Sequence, residues 1–256
     1  MNQSIIQEAR KTMPLIHHLT NQVVMNFSAN GLLAFGAAPV MAKAEEEARD
    51  MASNADGVLL NIGTLTSDEL SAMIRAGVAA NEKGIPVVID PVGVAATPFR
   101  TEAVKQILNN VRPTAIKGNA GELARLVDIP WEMKGVDSLG DGNADAIAAK
   151  VAETYQTSAI VTGKTDAICV DGDILHNDTG HPLLGKITGA GCLLGSVLTA
   201  CLTTNNTIGD QASTALEFYG LAAEHAANKA DVNGPGTFLP HFIDALSREP
   251  AELERT

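Results

Sequence analysis

The stretch Val87-Val88-Ile89-Asp90-Pro91-Val92-Gly93 decides the fold. Three consecutive apolar, β-branched residues with no polar alternate describe a strand buried on both faces, as occurs in a parallel sheet covered by helices on each side. The proline that follows cannot donate to a ladder, so the strand ends there and Asp90 stands at its carboxyl end. Runs of the same kind recur at Leu15-Ile16, Pro39-Val40-Met41, Val58-Leu59-Leu60, Ala115-Ile116, Ala159-Ile160-Val161 and Ile168-Cys169-Val170. Between them lie helical spacings: Leu70, Met73, Ile74, Gly77, Val78, and again Val104, Ile107, Leu108, Val111. Thr66 or Ser67, with Glu69 or Leu70 behind it, caps the first of these helices. Strands alternating with helices predict an α/β fold: a three-layer α/β/α sandwich on a mostly parallel central sheet, forming one domain over residues 1–256. Residues 189–230 are rich in small side chains and predict two long helices packed closely through Ala and Gly.

Composition narrows the function. A net charge of −12 and a pI near 4.8, with no basic patch to oppose them, repel nucleic-acid backbones and anionic membrane surfaces. The Glu45-Glu46-Glu47 run reads as a solvated helix face. Cys169, Cys192 and Cys201 are odd in number and lack CxxC spacing, which argues against a disulfide framework or a zinc site and for a reducing cytoplasm. Residues 1–10 hold no continuous apolar stretch, and no window of about 18 residues is free of polar groups, so neither secretion nor a membrane span is expected.

In a parallel sheet, ligands gather beyond the carboxyl ends of the strands, where loops and helix N-termini meet. Four motifs fall there. Thr188-Gly189-Ala190-Gly191-Cys192 opens a helix after the glycine-bearing loop 180–186. Its glycines admit a ligand close to the backbone, and the free amides of the first turn favour an anion, although the same pattern also serves tight helix packing. Cys192, in that first turn, is expected to feel the helix dipole as a lowered thiol pKa; the competing reading is a small buried hydrophobe. Asp90 can hold Mg²⁺ directly or through water, or can cap an Asx-type turn.

Lys117-Gly118-Asn119-Ala120-Gly121-Glu122-Leu123 is the third motif. Lys117 can neutralise phosphate charge, Asn119 can position it and Glu122 can join Asp90 around magnesium; alternatively Asn119 caps a helix with Glu122 as its box partner. Val161-Thr162-Gly163-Lys164-Thr165-Asp166 is either a hairpin turn or a loop facing a nucleotide. Carboxylates for Mg²⁺, a cation and backbone donors at one sheet edge are what phosphoryl transfer requires. No GxxxxGK[ST] loop and no protein-kinase HRD or DFG set is present, so the phosphates are held another way. His17 and His18, adjacent on a strand, point to opposite faces and are read as structural or pocket-lining.

Taken together, His17-His18-Leu19-Thr20-Asn21, Asn26, Ala29-Asn30, Pro39-Val40-Met41, Asp90-Pro91-Val92-Gly93, Lys117-Gly118-Asn119-Ala120-Gly121-Glu122, Val161-Thr162-Gly163 and Thr188-Gly189-Ala190-Gly191-Cys192 resemble the hydroxyethylthiazole kinases of thiamin salvage. The resemblance implies a ribokinase-like fold, ATP as donor, Mg²⁺, and phosphorylation of the primary hydroxyl of 4-methyl-5-(2-hydroxyethyl)thiazole. It places Asn21, Met41 and Gly189 at the substrate, Asp90 and Glu122 at the metal, and Lys117 and Thr162 at ATP. Gly189, Ala190 and Gly191 become the anion hole, and Cys192 takes the position where related sugar kinases carry an aspartate base. It also implies a homotrimer with sites at subunit interfaces. Lys117 departs from the arginine of many members, exchanging a planar two-point phosphate contact for a point charge. Alternatives are a hydroxymethylpyrimidine or sugar-type kinase, a nucleotide-sensing module without turnover, and an acyl transferase using Cys192; the last lacks a clear base, since His176 and His181 fall in loops.

Overall fold

The computed structural model describes residues 1–130 and 141–253. In chain order these form α1 (Gln3–Thr12), β1 (Leu15–Leu19), α2 (Met25–Phe35), β2 (Ala38–Val40), α3 (Glu45–Asn54), β3 (Gly57–Asn61), α4 (Ser67–Lys83), β4 (Val87–Asp90) and α5 (Pro98–Asn110). There follow β5 (Ala115–Asn119), α6 (Ala120–Leu126), α7 (Asp141–Tyr155), β6 (Ser158–Thr162), β7 (Asp166–Val170), β8 (Asp173–Asn177), α8 (Ala190–Cys201), α9 (Ile208–Ala227) and α10 (Pro235–Leu246). The strands make one sheet in the order β2-β1-β3-β4-β5-β6-β7-β8. Neighbours from β2 to β6 pair in parallel, and β7 runs antiparallel between β6 and β8.

Uninterrupted apolar runs make sense once the faces are separated. Val58, Leu60, Val87, Ile89 and Ile116 pack with Ala72, Met73, Ala76 and Val151, on the side of α4 and α7. Their neighbours Leu59, Val88 and Ala115 pack with Leu193, Val197, Leu216 and Phe218, on the side of α8 and α9. Alternate residues of each strand therefore enter two cores, and each fully buried Val, Leu or Ile contributes roughly 1.5–3 kcal/mol. The expected three-layer arrangement and its mostly parallel sheet are what the chain adopts. The two small-residue helices expected in residues 189–230 are α8 and α9. Thr66 is the cap chosen for α4, in a full capping box with Glu69. Among the described residues no helix is long and apolar enough to cross a membrane.

Arg10 closes the layer formed by the helices of the two termini. Its guanidinium donates to Phe35 O at 2.9 Å, Leu246 O at 2.9 Å and Arg248 O at 2.8 Å, tying α1 to the ends of α2 and α10.

The two histidines of β1 do diverge. His17 Nε2 lies 2.7 Å from Ala42 O, whereas His18 Nε2 lies 2.9 Å from Ser196 Oγ on α8 and its Nδ1 2.9 Å from Ile16 O. The carbonyl of Ile16 can only accept, so Nδ1 carries the proton and the neutral ring accepts from Ser196 through Nε2. Burial pushes the His18 pKa down from 6.5 to about 4, and His17 is lowered for the same reason. The unfolded chain thus takes a proton near pH 6.5 that the folded chain refuses until about pH 4. Stability is complete above the upper value and is lost as pH falls through this window, by about 3 kcal/mol for His18 alone. Urea titrations at pH 7.5 and pH 4.5 should show this loss reduced by that amount in His18→Gln; an equal loss in both proteins contradicts the assignment.

Candidate active site

Four of the parallel strands, β3 to β6, end on a polar residue at the same edge of the sheet. β3 ends on Asn61 and β4 on Asp90, paired in register, while β5 ends on Asn119 opposite Thr162 of β6. One hydrogen-bonded path joins the ends of β3 and β4 to the start of α8. Asn21 Nδ2, just past β1, donates to Asn61 Oδ1 at 3.0 Å and to Cys192 Sγ at 3.4 Å. Asn61 Nδ2 donates to Asp90 Oδ2 at 3.0 Å, and Lys117 Nζ donates to Asp90 Oδ2 at 3.1 Å and to Gly191 O at 2.8 Å. Asp90 is 1% exposed and Lys117 3%, so neither charge is supported by bulk water and each depends on this path.

That confinement sets the electrostatics. Burial pushes the Asp90 carboxyl above its ordinary value; Lys117 opposes the rise and Glu122 reinforces it. Burial works against charge on Lys117 as well, yet Asp90, Cys192 and Glu122 together outweigh it and hold the ammonium above the ordinary lysine value. Glu122 shapes its surroundings through both oxygens. Oε2 accepts from Asn119 N at 3.0 Å in a capping box at the start of α6, and Oε1 accepts from Gly93 N at 2.9 Å in the loop after β4. The capping role read from Asn119 and Glu122 is therefore present, and the same carboxylate braces the loop that follows Asp90.

α8 begins on Gly189 at φ +91°, with no side chain capping its first amides. Only a residue at ease in the left-handed region fits there, because an added Cβ would overlap Val24 Cγ1 and lie 3.2 Å from Phe27 Cδ1. Uncapped amides at a helix start, with the dipole behind them, attract an anion. Tyr219 of α9 donates to Ala190 O at 2.6 Å and fixes this turn from below.

The Cys192 thiol pKa is raised, not lowered as its place in the first turn of α8 predicts. Burial, followed by the nearby Asp90 carboxylate, raises it, and Lys117, Asn61 and Asn21 offset only part. A dipole acting from the first turn does not compensate for removing a thiolate from water. The sulfur's polar neighbours are the two asparagines; His176 is bonded to Asp145 at 2.8 Å and His181 accepts from Leu183 N at 3.3 Å. Among the described residues, no histidine is hydrogen-bonded to this thiol as an acyl-transfer base would be.

Of the residues singled out from sequence, Asn21, Asp90, Lys117, Gly189, Ala190, Gly191 and Cys192 come together, with Glu122 joined through Gly93. Two stand apart from the path. Thr162 is half-buried at the end of β6 and donates to Gly118 O at 3.3 Å, while Met41, half-buried, follows the edge strand β2 beside β1. The loop 163–165 is the hairpin turn between β6 and β7, held by a 3.0 Å bond from Gly163 N to Asp166 Oδ1. Asn61 and Tyr219 were not anticipated. Asn61 had the same signal as Asp90, a polar residue ending an apolar run, whereas Tyr219 reads only as an inward-facing helix position with Leu216, Ala223 and Ala226, and nothing local links it to Ala190.

A family model described as the hydroxyethylthiazole kinase family matches residues 6–252. The chain belongs to that family. It is 62% identical over 253 residues, 99% of this chain and 98% of the other, to hydroxyethylthiazole kinase 1 of Oceanobacillus iheyensis. Among solved structures, a hydroxyethylthiazole kinase protein from Pyrococcus horikoshii OT3 is 38% identical with a TM-score of 0.86, covering 95% of this chain and 91% of that one. A ribokinase-like superfamily protein from Enterococcus faecalis V583, 13% identical with a TM-score of 0.66 over 96% and 94% of the two chains, shares the fold. Kinase membership and a ribokinase-like α/β architecture agree with uncapped helix-start amides beside a buried carboxylate.

Proposed function

We propose that this chain transfers the γ-phosphoryl group of ATP to the primary hydroxyl of 4-methyl-5-(2-hydroxyethyl)thiazole, supplying the thiazole phosphate used in thiamin biosynthesis. The observation that carries the reading is the path from Asn21 through Asn61 and Asp90 to Lys117 and Gly191, which sets a carboxylate, a cation and a helix start around one point. Gly189, Ala190 and Gly191 offer amides to the transferring phosphoryl group, where charge develops. Lys117 has three N–H donors; Asp90 and Gly191 take two, and the third serves a phosphate oxygen. Thr162 contacts ATP from the neighbouring strand end, and Asn21, Met41 and Gly189 line the thiazole pocket.

Among the described residues no group of three or more His, Cys, Asp or Glu could hold a metal alone. Asp90 and Glu122, two carboxylates with accepting capacity to spare, instead suit an ion whose other ligands are phosphate oxygens and water, as Mg²⁺ prefers. Magnesium held there supplies neutralisation of phosphate charge. We further assign a cytoplasmic homotrimer with sites at the interfaces. The outer side of β2, which pairs with no strand among the described residues, together with Leu33, 58% exposed on the α2 helix that packs against β2, supports an interface at that edge.

An ADP-release assay with the thiazole alcohol, the hydroxymethylpyrimidine alcohol and ribose, each with and without Mg²⁺, tests the reading. Turnover that requires both the thiazole and the metal is expected; equal turnover with ribose contradicts it. Cys192, which keeps its proton because burial raises its pKa, orients the substrate hydroxyl beside the phosphoryl group and does not act as a strong base. Cys192→Ala should keep measurable turnover, within about 10²-fold of wild type, and Cys192→Asp should retain or raise it. Complete loss in both, with melting behaviour intact, removes Cys192 from that role.

A further inference from the structure

Arg100 sits in the first turn of α5, outside the four strand-end motifs. Its Nη1 donates to Val92 O at 2.8 Å and its Nη2 to Gly63 O at 2.5 Å, so one guanidinium joins the loop leaving β3 to the loop leaving β4. Both carbonyls stand two residues beyond the strand-end side chains Asn61 and Asp90. The amides next to them point back into the site: Gly63 N donates to Asn61 Oδ1 at 3.0 Å, and Gly93 N donates to Glu122 Oε1 at 2.9 Å. At Gly93, φ is +66° and an added Cβ would lie 2.7 Å from Arg100 Nη1, so the loop is shaped to let the guanidinium in.

These contacts form a bracket from β3 through β4 to α6, with Asp90 at its centre. We propose that Arg100 is a positioning residue that sets the separation and aim of the Asp90 and Glu122 carboxylates. A planar fork fixes two carbonyls at once in one set geometry, which the rotating point charge of a lysine holds less rigidly. Arg100 acts through the loops it pins and not by touching the nucleotide. The inference rests on the reading of Asp90 and Glu122 as the carboxylates that receive Mg²⁺.

Calorimetric titration of ADP, with and without MgCl₂, into wild type, Arg100→Lys and Arg100→Met tests it, alongside the melting temperature and the KM for the thiazole alcohol. In Arg100→Met the gain in ADP affinity conferred by MgCl₂ should shrink by roughly 10- to 100-fold, the usual consequence of losing an outer support of a metal site. Affinity for metal-free ADP and the KM for the alcohol should stay unchanged, with Arg100→Lys intermediate. A folded Arg100→Met with the wild-type magnesium gain overturns the proposal, and so does a parallel loss of affinity for both forms of ADP, which marks a purely structural role. Should Arg100→Met fail to fold, Arg100→Lys is judged by the same two criteria. If wild type itself gains nothing from MgCl₂, the metal reading beneath the inference fails instead.

Discussion

Asp90→Asn should lower kcat on the order of 10³-fold while reducing folding free energy by about 3 kcal/mol. The two losses have different origins and can be separated. Catalysis suffers because the carboxylate that meets the phosphate-borne charge is gone. Stability suffers because Lys117, 3% exposed, keeps its ammonium only by virtue of the surrounding anions. Asp90 itself is pushed up by burial, so the intact pair is close to break-even and removing both charges should cost little. Asp90→Asn combined with Lys117→Met should therefore regain most of the lost stability and none of the turnover. Urea denaturation and steady-state kinetics on the single and double variants check this; joint recovery of both properties contradicts a catalytic role for Asp90.

Gly189→Ala carries the second large effect. The substitution forces an alanine to φ +91° and into Val24 Cγ1, a strain of about 1–2 kcal/mol before any overlap is relieved. Relief requires the first turn of α8 to move, and a displacement of about 1 Å at a reacting centre lowers kcat on the order of 10²-fold. Gly191→Ala is the control: its added Cβ would lie at an ordinary 3.5 Å from Lys117 Nζ, so folding stability should change far less than in Gly189→Ala. Melting temperatures and kcat for the pair test the distinction; equal destabilisation of both removes the argument from geometry.

How much of this was legible in the residues follows from burial. β3, β4 and β6 announced themselves because both their faces are covered, leaving no polar alternate to interrupt the run. β8, Asp173-Ile174-Leu175-His176-Asn177, did not, because an edge strand with three exposed residues needs no apolar run. Asp90 was readable as a charge ending a buried strand. Asn61 ends an apolar run in the same way but carries no charge to suggest a metal or phosphate, although it bridges Asn21 to Asp90. Tyr219 and Arg100 act across distances in sequence that no local pattern encodes; Tyr219 reaches Ala190 from another helix, and Arg100 reaches back to Gly63. Cys192 shows the reverse error. The helix start was visible in Gly189 and Gly191, but the burial that raises its thiol pKa is a property of the assembled layers.

The measurement that bears most directly on the central claim is a crystal structure with a non-hydrolysable ATP analogue, MgCl₂ and the thiazole alcohol. The terminal phosphate should accept hydrogen bonds from the amides opening α8, with magnesium bound by Asp90 or Glu122, directly or through one water, and the alcohol oxygen facing the phosphorus beside Cys192. Phosphates seated away from both the Gly189 turn and Asp90 would contradict the account.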